Sequence, residues 1–235
     1  MVHKATVSAS LRMLLLAELF MPIKGWPQTV PATSDAVPLI AKDLQRSRRA
    51  DFLQETVSQN ARDLGNWVVR TGDHQGAPFV LVDKVNARVY VFNSSGHLQC
   101  AAPALLGLAW GDEGVKGLGS RPLSLILPQE RTTPSGRFEA TLAKNLSGQL
   151  ILWVDYEQGI SLHPLRSVDI KERRLERLQS STPNDNRISY GCINVPVAFW
   201  RDVVVPAFRD SAGLVYVMPE ATPLNTVFPI ATTSP

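Results

Sequence analysis

In the stretch "RISYGCINVP" (187–196), Cys192 directly follows Gly191 in a polar, turn-like setting that ends at Pro196, before an apolar, helix-like run. A thiol there is either an incidental surface residue or a nucleophile held where a substrate can reach it. Gly191 can take backbone angles closed to other residues and lets a substrate approach the main chain. If the turn aims the N–H groups of Tyr190, Gly191 and Cys192 into one concavity, they can hold the negative oxygen of a tetrahedral intermediate, about 3 kcal/mol per donor. A thiol with a pKa near ~8.5 is mostly protonated at neutral pH and needs an imidazole to activate it. His163 is the candidate. It closes the strand-like "GISLHP", and a strand end beside a proline projects into a rim where sites are built. The plain alternative is a bystander histidine. His74 and His97 stand in turn-like surroundings and His3 in the N-terminal segment.

The elements that must position this pair read as mostly β. Beyond Gly76 the apolar period becomes two, and "FVLVDKVNARVYVFNSSGHLQC" predicts two strands with turns at 84–86 and 94–96. Further strands are expected at "GRFEATLA", "QLILWVDY" and "GISLH". Phe52, Val57, Ala61, Leu64 and Val68 form a helical stripe, which predicts a flanking helix within 51–76. Asp169 and Glu172 have capping-box spacing at the head of "DIKERRLERLQ", where Leu175 and Leu178 share a face. A second helix is expected from about Val197 to Phe208.

Composition bounds the function. The 235 residues, 44% hydrophobic, suffice for one ordinary domain with a core. The 24 basic and 21 acidic residues leave a net charge of +3, too even to imply a nucleic-acid partner. A pI near 9.0 fits work beside an anionic surface or polymer. Two cysteines and four unpaired histidines do not make a zinc site, so no metal is expected. Cys100 and Cys192 either form a disulfide or stay apart, and Cys100, in apolar "LQCAAPALLG", is expected to be buried and inert. Residues 1–30 carry basic residues and then "MLLLAELFM". That stretch is either a signal-like leader, too short for a stable membrane span, or a buried amphipathic helix. Proline-rich 31–50 reads as a linker, 77–219 as the folded domain and 220–235 as a loosely ordered tail.

From about Pro78 to Met218 the chain resembles the catalytic domain of the L,D-transpeptidases, cysteine enzymes that cross-link bacterial cell-wall peptides. "TPSGRF" (133–138), "SLHPL" (161–165) and "SYGCIN" (189–194) match in order the family's Thr-Pro-x-Gly-x-Phe element, histidine segment and Ser-His-Gly-Cys-x-Asn/Arg signature. The resemblance implies a β-sandwich or barrel-like fold with a few helices on its flanks. It implies an exported protein of the periplasm or cell envelope that acts on peptidoglycan stem peptides without a cofactor. Cys192 would attack the carbonyl of the third stem residue and release D-alanine, leaving a thioester, and His163 would move the proton. The Pro164 carbonyl would orient the imidazole, with Tyr190 and Gly191 lending backbone groups and Ser189 beside them in the motif. Asn194 would brace the loop or else cap the following helix.

Two departures stand out. Tyr190 replaces the usual histidine, so a phenol stands where the family carries a ring able to hold a positive charge. The interval from His163 to Cys192 is lengthened by a basic insert. Its Arg166, Lys171, Arg173, Arg174 and Arg177, set against Asp169, Glu172 and Glu176, form either a wall of the groove or a solvated face. A glycine-rich insertion between Gly107 and Thr133 reads as a mobile flap. Carboxypeptidase or endopeptidase activity, a catalytically silent peptide binder and a redox disulfide protein stay open beside transpeptidation.

Overall fold

The computed structural model describes residues 48–166 and 169–230. The expected leader, most of the linker and the last residues of the tail lie outside them. The fold is mostly β. The ten strands among the described residues are β1 Phe79–Asp83, β2 Arg88–Phe92, β3 Leu98–Pro103, β4 Leu106–Gly107, β5 Gly136–Lys144, β6 Leu150–Asp155, β7 Ile160–Pro164, β8 Arg187–Ser189, β9 Ile193–Val195 and β10 Gly213–Val217. Eight of them form one sheet in the order β3-β2-β1-β10-β5-β6-β7-β9, and β4 pairs with β8. The sheet is nearly closed. The chain leaving β3 at one edge reaches the other, where Leu105 and Asn194 exchange backbone hydrogen bonds of 2.8 and 2.9 Å.

The apolar run at β1 is continuous because both of its faces are covered. Val80 and Val82 face an inner core shared with Leu152, Leu162, Ile193 and Val215, while Phe79 and Leu81 face a second core under the helix Gln59–Thr71. That helix starts where the Ser58 side chain accepts from the Ala61 N–H and stops at Gly72, in the left-handed region. It buries Ala61, Leu64, Trp67 and Val68. The inner core is closed by a helical run over 197–208 through Phe199, Trp200, Val204 and Phe208. Its middle, Trp200–Val204, is a π turn. Pro206 just beyond has no N–H to give, and the widened turn accommodates it.

Several expectations change in three dimensions. The segment read as two strands makes three, β1 to β3, because the turn at 94–96 also closes a hairpin. The turn around Cys192 is flanked by two short strands, β8 and β9, rather than lying in a loop. The capping box at Asp169 does not form. Its carboxylate accepts from the Lys171 N–H at 2.8 Å, and Arg173 at φ +49 breaks the segment into a short turn and the helix Arg174–Gln179. Cys100 is exposed, since β3 is the edge strand and nothing packs over it there. The chain beyond Pro219, read as loose, is tied down as far as Phe228, whose ring packs beside Trp67 and Tyr216. The glycine-rich insertion folds as three single turns pinned by buried Leu118 and Ile126. No helix among the described residues is long and apolar enough to cross a membrane.

The insertion, the C-terminal segment and β8 meet at a buried charge cluster. Lys84, at the end of β1, donates to the Gly111 carbonyl (2.6 Å), Asp112 (2.9 Å) and the Thr133 carbonyl (2.9 Å), with Glu220 at 3.6 Å. Arg187 pairs with Glu220 and donates to the Lys84 carbonyl. Asp112 accepts from the N–H groups of Glu220, Ala221 and Thr222. Burial lowers the Lys84 proton affinity. Burial alone would raise the Asp112 carboxyl; hydrogen bonds from the Glu220 N–H and Lys84 outweigh it and hold the carboxyl down to about 2. Such a cluster is costly to assemble and more costly to break. Lys84→Met leaves Asp112 buried without its cation and Glu220 with Arg187 alone. We expect it to destabilise the fold by about 3–5 kcal/mol in urea unfolding, and a loss under 1 kcal/mol would show that the cluster does not hold these segments.

Candidate functional site

The site is built by the parallel pairing of β7 and β9. Leu162 pairs with Ile193, His163 with Asn194 and Pro164 with Val195. Side chains alternate across a strand, so Leu162, Ile193 and Val195 point into the core while Ser161, His163 and Asn194 share the opposite face with Cys192, one step before Ile193. Ser161 and Cys192 meet there, with Oγ and Sγ 3.6 Å apart. Sγ also lies 3.6 Å from the Gly159 carbonyl. The Cys192 thiol is half-buried and that of Cys100 exposed; both are free, so no disulfide joins them.

The His163 Nδ1–H donates to the Pro164 carbonyl at 2.9 Å, which leaves the lone pair on Nε2. Facing Nε2 at 3.4 Å is the Asn194 amide nitrogen, which also reaches the Cys192 carbonyl at 3.3 Å. The Asn194 oxygen accepts from Arg174 at 2.8 Å. Asn194 is fully buried and does not cap the next helix, which begins after Pro196. Burial pushes the His163 imidazole down to about 4. The Pro164 hydrogen bond opposes that shift, and the nearby Arg166 and Arg174 add to it. The ring is therefore a neutral base at physiological pH, and in this arrangement it is engaged with Asn194 rather than with sulfur.

The turn carrying Cys192 is held from behind. Gly191 sits at φ +117, and a Cβ there would come within 2.6 Å of the Thr132 carbonyl and 2.7 Å of Ile160. The Thr133 hydroxyl donates to the Gly191 carbonyl and accepts from the Gly107 N–H, both at 2.9 Å, and Lys84 binds the Thr133 carbonyl. The Ser189 hydroxyl donates to the Cys192 carbonyl (2.6 Å) and accepts from the Gly191 N–H (3.0 Å). That contact corrects the expected oxyanion set: the Gly191 N–H is already spent inside the turn. The N–H groups of Tyr190 and Cys192 have no protein partner among the described residues.

Tyr190 is half-buried with the Arg131 guanidinium 3.9 Å from its ring centroid. A cation supplied from another segment therefore stands over the phenol of Tyr190. Trp110 is exposed and lies 4.3 Å from the Arg187 guanidinium. His74 is buried between the Val68 and Ser94 carbonyls, away from the site. Among the described residues no group of His, Cys, Asp and Glu is arranged to hold a metal. Sequence reasoning passed over Ser161, although its place two residues before His163 on a strand puts the two on one face. It also passed over Arg131, for which the sequence carries no signal, and left Arg174 among the charges of a solvated face.

Two measurements follow. Gly191→Ala should destabilise the protein by at least ~2 kcal/mol and displace the turn; unchanged stability and thiol reactivity would show that the turn tolerates a side chain. His163 is neutral in the fold and protonated below about pH 6.5 when unfolded. Its contribution of about 3 kcal/mol is therefore present above pH 6.5 and is lost as pH falls toward 4. His163→Gln should flatten the stability–pH curve across that window.

No protein-family model matches the chain, and no curated protein does. Solved structures do. The catalytic domain of the E. faecium L,D-transpeptidase covers 61% of this chain and 98% of its own length at 14% identity, with a TM-score of 0.38. An L,D-transpeptidase from Xylanimonas cellulosilytica covers 83% of this chain and 98% of its own at 11% identity and the same TM-score, 0.38. A third L,D-transpeptidase, solved in complex with imipenem, covers 60% and 59% at 17% identity, with a TM-score of 0.33. These are the folds to which the chain is similar, and the site described above rests on its own contacts.

Proposed function

We propose that this protein is a cysteine acyltransferase of the L,D-transpeptidase type, acting on peptidoglycan stem peptides through a thioester on Cys192. The observation that carries the reading is the register of β7 against β9, which sets a half-buried free thiol and a neutral imidazole on one face. The ordered motifs "TPSGRF", "SLHPL" and "SYGCIN" support the same reading.

In the first half-reaction Cys192 Sγ attacks the carbonyl carbon of the third stem residue, and the thiol proton passes to His163 Nε2. The N–H groups of Tyr190 and Cys192 are the donors for the developing oxyanion. The tetrahedral intermediate collapses with cleavage of the C–N bond, and the imidazolium returns its proton to the departing D-alanine amine. In the second half an acceptor amine attacks the thioester and gives its proton to Nε2. The thiolate leaves and is reprotonated from there. For the first transfer Nε2 must exchange its contact with Asn194 for one with sulfur. A base with so low a proton affinity does not hold a standing thiolate–imidazolium pair; it takes the proton as the C–S bond forms. Such a substrate lies outside the cytoplasm, so the reading implies an exported protein of the periplasm or cell envelope, working beside an anionic polymer that suits its basic pI.

A second reading, a hydrolytic or silent homologue that binds the same peptides, is favoured by the resting contacts: sulfur lies against Ser161 and Gly159, and Nε2 against Asn194. Incubation with tetrapeptide-bearing murein fragments separates the readings by mass spectrometry, as dimers, trimmed monomers or unchanged substrate. With a carbapenem, we expect one covalent adduct mapped to Cys192 and not to the exposed Cys100. Cys192→Ala should abolish the adduct while remaining folded. His163→Ala should slow it by about 10²–10⁴-fold. The acid limb of acylation by the parent should fall near pH 4 rather than near 6.5. Absence of any adduct in the folded parent would sink the acyltransfer reading.

A further inference from the structure

We propose that Arg174, carried by the inserted basic segment, is a positioning residue for His163: by holding the Asn194 oxygen it turns the amide nitrogen toward Nε2 and so, together with the Pro164 carbonyl at Nδ1, fixes which imidazole nitrogen is the free base. The proposal rests on the reading of His163 as the base.

The argument is one of donors and acceptors. The two ends of an amide are nearly equal in size, so hydrogen bonds alone choose its orientation. Guanidinium has donors and no acceptor, and Arg174 lies 2.8 Å from Asn194 Oδ1. With Oδ1 so occupied, Nδ2 faces the Cys192 carbonyl at 3.3 Å and His163 Nε2 at 3.4 Å, both acceptors. The opposite orientation would set NH₂ against guanidinium, and oxygen against both a carbonyl and a lone pair. An amide nitrogen facing Nε2 requires the proton to sit on Nδ1, where the Pro164 carbonyl receives it. One guanidinium thus reinforces, from the Nε2 side, the tautomer that the Pro164 carbonyl favours at Nδ1, in a ring it does not touch.

Arg174 is itself preset. Glu172 accepts from its Nε at 2.5 Å, and the arginine side chain is 11% exposed. Its neighbours in the insert behave otherwise. Arg173 pairs with Glu176 in solvent, and Arg177 donates to the carbonyls of Glu172 and Asp185. The charged and titratable groups around the ring are the cations Arg166 and Arg174, Glu172 offsetting the latter, and the Cys192 thiol. Together these contacts keep the imidazole neutral, and thiol and imidazole separately satisfied, until a substrate displaces them.

The test uses full-length protein labelled with ¹⁵N-histidine, with His163 assigned by its loss in His163→Gln. Long-range ¹H–¹⁵N spectra across pH 4–8 read tautomer and midpoint directly. The parent should show the neutral Nδ1–H tautomer throughout the neutral range. In Arg174→Leu the tautomer should become mixed and the midpoint should rise by about one pH unit or more, a tenfold change in proton affinity. Arg166→Leu removes a similar charge without touching Asn194 and should leave the tautomer pure. If Arg174→Leu matches the parent, or does no more than Arg166→Leu, the proposal is overturned. Should Arg174→Leu fail to fold, Arg174→Lys carries the test. It keeps a donor for Oδ1 and should retain the pure tautomer, and mixed tautomers in the folded Lys variant overturn the proposal. These signals report on the ring whether or not an acyl-enzyme forms, so failure here is distinct from failure of the acyltransfer reading.

Discussion

The pleat of two short parallel strands governs this molecule. Because β7 and β9 pair in one register, the residues facing the core are committed to Leu162, Ile193 and Val195, and those of the other parity share the opposite face, which carries the site. A slip by one residue would send His163 inward and bring Leu162 out. The apolar residues that keep the barrel closed therefore also hold the imidazole and the thiol on the same side.

That register needs a rigid backing, which the buried ion cluster supplies. Lys84 comes from β1, Asp112 from the glycine-rich insertion, Arg187 from β8 and Glu220 from beyond β10. Each charge is satisfied by others distant in sequence, and Lys84 also binds the carbonyl of Thr133, whose hydroxyl holds Gly191. The cysteine turn thus hangs from a structure with few alternative arrangements: any displacement would strand a charge away from water. Pre-organisation of this kind suits a site whose backbone N–H groups must already be aimed when charge develops.

The imidazole and the thiol stand in different surroundings. His163 is buried and flanked by cations, which favours its neutral form, and its free nitrogen rests against an amide. The thiol is half-buried near a hydroxyl and a carbonyl. Arg131 over Tyr190 returns positive charge to the rim from a segment unrelated to the motif.

Strands β1, β2, β5, β6 and β7, the helix of the Ala61–Val68 stripe and the prominence of Cys192 and His163 were legible in the chain, because alternation, stripe and motif are local properties; β9 and β10 were not read from it. Even Ser161 was within reach, by counting two residues back along a strand. Other features had no local signature. The Lys84 cluster joins residues more than a hundred positions apart, and desolvation, which lowers the proton affinity of both Lys84 and His163, depends on what covers them. The Asp169 capping box failed since Arg173 breaks the segment, and Cys100 is exposed since an edge strand has one side uncovered. The sequence by itself determined which residues can do chemistry and which strands carry them. Only the tertiary structure decided that Gly191 N–H is spent, that Arg174 reaches Asn194 and that the imidazole is neutral, because hydrogen-bond partners and dielectric are set by neighbours in space.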